Sequence, residues 1–171
     1  MKKLTVREIA VFGMFGALMY VSKLLMEALP NIHLIGMFVV TLTVVYRKRA
    51  LYPIYVFVFL TGLLGGFSTW WLPYLYIWTV LWGAVMLLPQ RIPEKAKPFV
   101  YMVVCSLHGF LYGTLYAPVQ ALVFGLDFKE MIAWIVAGFS FDCLHGIGNF
   151  VAGILIYPLS KVLLKMENSF Q

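Results

Sequence analysis

The stretch Phe141–Phe150, FDCLHGIGNF, lies inside a mostly apolar run from near Met131 to near Leu164 and places Asp142, His145 and Asn149 within two helical turns. A run of that length and polarity belongs in lipid. Ionisable residues at membrane depth cost about 2.5–3.5 kcal/mol each on insertion scales, so they turn toward protein or water. At about 100° per residue, Gly138, Asp142, His145, Gly146, Asn149 and Gly153 share one side of a helix. That side must face inward, with its glycines admitting a neighbouring helix at close range.

Composition extends the membrane reading to the whole chain. Of 171 residues, 63% are hydrophobic and 12% charged, and mean hydropathy is +0.91, far from the usual balance of soluble domains. No linker, low-complexity segment or convincing repeat divides it, so residues 1–171 read as one transmembrane domain. MKKLTVRE followed by apolar residues imitates a secretory signal, but the run continues to Leu29 without a small-x-small cleavage site. It is read as a retained first span.

The net charge of +6 is concentrated. Eleven of the thirteen Lys and Arg residues fall in four clusters, Lys2/Lys3/Arg7, Arg47/Lys48/Arg49, Arg91/Lys95/Lys97 and Lys161/Lys165. The clusters occupy alternate boundaries between apolar segments, which is the positive-inside pattern rather than a nucleic-acid footprint. With about 20 residues per spanning helix, spans are expected near 5–28, 34–46, 50–67, 72–88, 98–124 and 131–164. The expected fold is all-α, with six transmembrane helices and both termini cytoplasmic. The outer connections EALPNIH, GGFSTWWLP and FGLDFKE are nearly free of basic residues, and Trp70, Trp71, Tyr74 and Trp134 sit at these ends, where aromatic rings favour the headgroup layer. Pro118 predicts a bend or break in the fifth span, because it cannot donate to the Thr114 carbonyl. Cys105 and Cys143 fall within spans and read as core residues.

Candidate binding residues follow from helical spacing. His108, Tyr112, Tyr116 and Gln120 advance in steps of four along the fifth span, and Tyr74, Trp78 and Trp82 along the fourth. Trp82 lies deep and reads as structural. Tyr74 and Trp78 near the outer end, the fifth-span stripe, and Asp142, His145 and Asn149 together describe a pocket opening outward, with flat aromatic walls and a few polar groups. Lys23 and Glu27 stand one turn apart near the same end, as a structural pair or a pocket lip. A planar heterocycle such as a pyrimidine or pyridine fits. Anionic ligands are poorly served, since Lys23 and Lys129 are the only basic residues near the outside. An intramembrane enzyme using Asp142 and His145, and a small proton-coupled carrier, are competing readings; a catalytic metal site generally needs three protein ligands, and His108 is the only obvious additional nitrogen. No catalytic residue, metal or cofactor is expected.

On the first span Ala10, Gly13 and Ala17 lie within about 60° of one face, and Gly13 and Ala17 form a small-xxx-small pair. With AVFGMFGA on the first helix, LPNIHL in the first outer loop and the closing FDCLHGIGNFVAGILIYPL, the chain resembles, over nearly its whole length, the substrate-binding S components of energy-coupling factor (ECF) vitamin transporters. The resemblance implies a multi-pass protein of a prokaryotic plasma membrane whose outer half binds a vitamin or cofactor precursor. It further implies docking of Ala10, Gly13 and Ala17 on a transmembrane T subunit, with Gly13 and Ala17 in place of the family's usual alanine pair, and uptake driven by two cytoplasmic ATPases. The chain has no Walker A pattern, so ATP hydrolysis would fall to those partners.

Overall fold

The computed structural model describes residues 3–29, 32–89 and 91–169. Lys2 of the first basic cluster, and Pro30 and Asn31 of the first outer loop, lie outside them. The described residues form eight α-helices and no strand: α1 (Val6–Leu25), α2 (Ile35–Tyr46), α3 (Leu51–Gly65), α4 (Tyr74–Leu87), α5 (Lys97–Phe110), α6 (Tyr112–Phe124), α7 (Phe128–Ala152) and α8 (Ile156–Asn168). Short 3-10 turns at Arg47–Ala50, Thr69–Trp71 and Gly153–Leu155 join α2 to α3, lead into α4, and join α7 to α8.

The helix limits have local causes. At the start of α1 the Thr5 hydroxyl accepts the Glu8 N–H (3.2 Å) while the Glu8 carboxylate accepts the Thr5 N–H (2.8 Å). Asp127 and Glu130 make the same reciprocal pair at the start of α7. Each box satisfies two orphan N–H groups and sets a negative charge against the positive end of a helix dipole. At the other limit, Gly66 (φ 91°) and Gly125 (φ 69°) terminate α3 and α6 in conformations that side-chain-bearing residues avoid.

Four helical stretches are long and apolar enough to cross a membrane: Val6–Leu25, Thr69–Leu87, Lys97–Phe124 and Phe128–Asn168. Large apolar side chains such as Leu122, Val136 and Phe59 point outward around the periphery, which lipid accepts and water would not. This is a membrane protein. α2, by contrast, has eight of its twelve residues buried and forms the centre of the bundle, packed on α4, α5 and α8.

One end of the bundle collects charge. Arg7 pairs with Glu167 at 3.2 Å, so both ends of the chain lie together. Arg49 pairs with Glu8, and Tyr46 donates to Glu167. Glu94 accepts from Lys97 (2.5 Å) and Tyr157 (2.6 Å), with Lys161 at 3.3 Å. Those hydrogen bonds, Lys97 first, hold the Glu94 carboxyl down to about 2. All four basic clusters of the sequence meet here.

Two glycine contacts fix the helix pairs. A Cβ on Gly109 of α5 would lie 2.7 Å from the His145 carbonyl oxygen and 2.8 Å from the Gly146 nitrogen of α7; backbone meets backbone. On α1 the buried small residue is Gly16, where a Cβ would collide with Val56 and sit 3.1 Å from the Phe57 nitrogen of α3. Gly13 has nothing within 4 Å of its Cβ position, and Ala10 and Ala17 are exposed. The small-residue face of α1 is therefore not consumed by packing inside this chain. Gly16→Ala should lower the melting temperature of the purified protein, costing about 1–3 kcal/mol through overpacking. Gly13→Ala should be neutral or stabilising by up to about 1 kcal/mol, because the helix loses a glycine without a clash.

Candidate functional site

The buried residues of α7 are Asp142, His145, Gly146 and Asn149, the face that helical periodicity turns inward. Its three polar members do three different things. Asn149 donates to the Cys105 carbonyl of α5 at 3.2 Å, and its amide abuts Gly36 of α2, so it ties three helices together. Asp142 accepts the Gly113 N–H at 2.8 Å. His145 stacks on Tyr112, with centroids 4.6 Å apart and planes 30° apart.

The Asp142 bond explains where the fifth span breaks. The interruption is at Leu111, between α5 and α6, while Pro118 lies inside α6 without ending it; of the bend or break expected at the proline, the break is corrected. Gly113 is in the first turn of α6, where N–H groups lack intrahelical acceptors. The Asp142 carboxylate supplies one from a neighbouring helix, with a charge of the sign that the helix start favours. The fit is close: a Cβ on Gly113 would stand 2.5 Å from Asp142 Oδ2.

At the end of the bundle opposite the charge cluster is a cavity of about 260 Å³. Lys23, Met26, Glu27 and Leu29 form one side, Ile32, His33 and Ile35 a second, and Tyr74, Trp78, Tyr112 and His145 the rest. Lys23 and Glu27 pair at 2.7 Å on its rim. Across the Tyr112–His145 stack is a second cavity of about 250 Å³, lined also by Gly113, Tyr116, Trp134, Gly138, Phe141 and Asp142. Tyr116 donates to the Trp70 carbonyl (2.8 Å) and stacks on Trp134, so the outer-end aromatics of the sequence are brought together here.

Of the residues singled out from the sequence, Tyr74, Trp78, Tyr112 and His145 line the first cavity, and Tyr116 and Asp142 line the second. His108 lies behind Trp78. Its Nε2 is 3.0 Å from the Ile77 carbonyl, which can only accept, so Nε2 carries the proton and Nδ1 in the neutral ring does not. Gln120 is half-buried on α6 and lines neither cavity. His33 was missed. Its ring centroid lies 5.0 Å from that of His145 and 5.8 Å from that of Trp78. The available signal was a histidine at the threshold of an apolar helix, one of three in the chain. A larger groove of about 590 Å³ along Tyr52, Tyr55 and Phe59 of α3 is nearly all apolar, and faces outward like other lipid-covered surface.

Hydrogen bonding separates this end from the rest. Among the described residues, the buried side-chain polar atoms without a partner are His33 Nδ1, Trp78 Nε1, His108 Nδ1, His145 Nδ1 and Ser160 Oγ. Three of these, on His33, Trp78 and His145, belong to rings that line the first cavity, and the fourth ring, His108, packs behind Trp78. Each such atom costs about 1–3 kcal/mol relative to a satisfied one, so their clustering marks the place where a further partner has most to offer. Among the described residues no three His, Cys, Asp or Glu side chains converge to hold a metal ion.

Asp142→Ala should destabilise the protein by about 1–3 kcal/mol, the cost of a buried donor left unpaired, whereas Asp142→Asn, which keeps an acceptor oxygen, should cost less; thermal melting of both variants measures the difference. No protein-family model, curated protein or solved structure matches this chain, so its function rests on the geometry above.

Proposed function

We propose that the protein is the membrane-embedded substrate-capture subunit of an ECF-type importer in a prokaryotic cell membrane. In this reading it crosses the membrane six times with both termini in the cytoplasm, and takes a vitamin or cofactor precursor from outside. The supporting observation is the gathering of unpartnered ring nitrogens around a cavity at the end of the bundle farthest from the basic clusters. Positive-inside orientation puts the basic end in the cytoplasm and opens the cavity outward.

Two helices are short for a crossing. At 1.5 Å per residue, α2 spans about 18 Å and α3 about 22 Å, against a hydrocarbon layer of about 30 Å. α2 is surrounded by protein and need not match the lipid, and local thinning or flanking polar residues accommodate α3.

The ligand chemistry follows from the cavity walls. Indole Nε1 of Trp78 can only donate, whereas the Nδ1 atoms of His33 and His145 in the neutral ring donate or accept according to tautomer. A planar ring with a carbonyl or ring-nitrogen acceptor on one edge would satisfy Trp78 while stacking between Tyr and His rings. Asp142 already holds the Gly113 N–H, so in this reading it shapes the second compartment and steadies α6, and ligand contact falls chiefly to Trp78, Tyr112, His145, Tyr74 and His33.

The open face of Ala10, Gly13 and Ala17 is the proposed dock for the T subunit, which would bring two cytoplasmic ATPases with it. Ala17→Leu should leave the melting temperature of the isolated chain unchanged, since the position is exposed. Co-expressed with a T subunit and ATPases, the tagged wild type should recover the T subunit on purification, and Ala17→Leu should not. Recovery by both proteins would remove the docking assignment.

A further inference from the structure

The charged end holds a cavity of its own, of about 280 Å³, between the ends of α2, α4, α5 and α8. Its walls are aliphatic, with Val44, Val85 and Leu164 among them, and its polar groups come from Arg47, Lys97 and Tyr101. Lys97 is neutralised by Glu94 at 2.5 Å. Arg47 is not: among the described residues no carboxylate lies within ion-pairing distance of it, and its guanidinium has only the Met86 carbonyl at 3.4 Å.

The backbone of Arg47 is the second observation. With φ 53° and ψ −121° it is the single described non-glycine residue at positive φ, in a region that suits glycine. Such a conformation persists only where its surroundings enforce it, and outliers of this kind gather at functional sites. Here the Arg47 N–H donates to the Thr43 carbonyl and its own carbonyl accepts from Trp82 Nε1 at 3.1 Å. Both bonds fix the residue at the cavity.

We propose that this cavity is a binding site for a phosphate ester, with the Arg47 guanidinium as its principal ligand. A guanidinium offers a planar fork of donors that matches phosphate oxygens, and it meets no competing anion here. The aliphatic walls suit the glycerol and upper acyl region of a phospholipid, and the same donors would take a free phosphate. The site lies at the end of the molecule opposite the ligand cavity and does not depend on what that cavity binds.

The test is the melting temperature of the full chain in a neutral maltoside detergent, titrated with dioleoylphosphatidylglycerol, phosphate-free dioleoylglycerol, or inorganic phosphate. A rise with phosphatidylglycerol but not with dioleoylglycerol is expected, and a further rise with inorganic phosphate would identify a soluble source. Arg47→Gly should weaken the phosphate response about tenfold, the loss expected for a hydrogen-bonded charge. It should also melt at or above the wild type without additive, since glycine adopts this φ freely. Arg91→Gln, a cation outside the cavity, should change the response by no more than about twofold. No response to either phosphate, equal losses in the two variants, or an Arg47→Gly protein that melts well below the wild type would overturn the proposal.

Discussion

Everything at the end of the bundle away from the basic clusters depends on α5 and α7 touching backbone to backbone, Gly109 against the His145–Gly146 peptide. That approach admits no side chain at Gly109, a Cβ on Gly146 would run into the Phe110 ring at 2.5 Å, and the contact fixes the depth of α7 against the bundle. With α7 so placed, Ser106 donates to the Gly146 carbonyl at 2.9 Å, Asn149 reaches Cys105, and Asp142, one turn nearer the start of α7, meets the Gly113 N–H. The last contact starts α6 afresh after the interruption at Leu111. It also brings Tyr112, next to Gly113, over His145. A steric condition between two glycines thus becomes, through one carboxylate, the wall between two cavities.

The two ends of the bundle obey opposite electrostatic rules. At the basic end, carboxylates are shared among several partners, as Glu94 serves Lys97, Tyr157 and Lys161, and the pairs lie where solvent screens them. Such bridges are individually weak; their sum brings the chain termini and the inter-helix turns together more than it stabilises the fold. At the other end there is little charge to share, and the polar groups are neutral ring nitrogens held among aromatic faces. A low-dielectric setting makes an unpaired donor costly and a well-placed partner correspondingly favourable. The proposed capture of a small neutral ring would draw on that combination.

Much of this was legible in the sequence because membranes demand it. The all-helical, apolar character of the chain, the inward face of α7 and the aromatic stripe of Tyr74 and Trp78 follow from period and hydropathy; four of the expected spans lie within helical stretches of membrane-crossing length, and burial on α7 falls where the pattern put it. What escaped was tertiary. Pro118 carries a strong local signal for a break, yet the interruption lies at Leu111, where the determining group is a carboxylate about thirty residues along the chain with no local signature. His108 and Asn149 read as ligand residues because they are polar and deep; each also bonds a main-chain carbonyl of another helix, a contact that no side-chain pattern reveals. His33 was passed over because it belongs to a connection, and only folding brings it against His145 and Trp78. Arg47 looked like one member of a basic cluster, and its backbone angle and missing counter-charge appear only in three dimensions.

In the proposed function, the cavity walled by His33, Trp78, Tyr112 and His145 captures a small planar ring. The most direct measurement is mass spectrometry of small molecules released by denaturing the purified protein, run in parallel on wild type, Trp78→Phe and His145→Ala. One heterocycle with a carbonyl or ring-nitrogen acceptor should be released from the wild type in roughly stoichiometric amount. Far less should come from either variant, since each loses a buried hydrogen-bond partner and with it about one to two orders of magnitude in affinity. Equal release of the same molecule from all three folded proteins, or release from the wild type of nothing beyond lipid and detergent, would contradict the account.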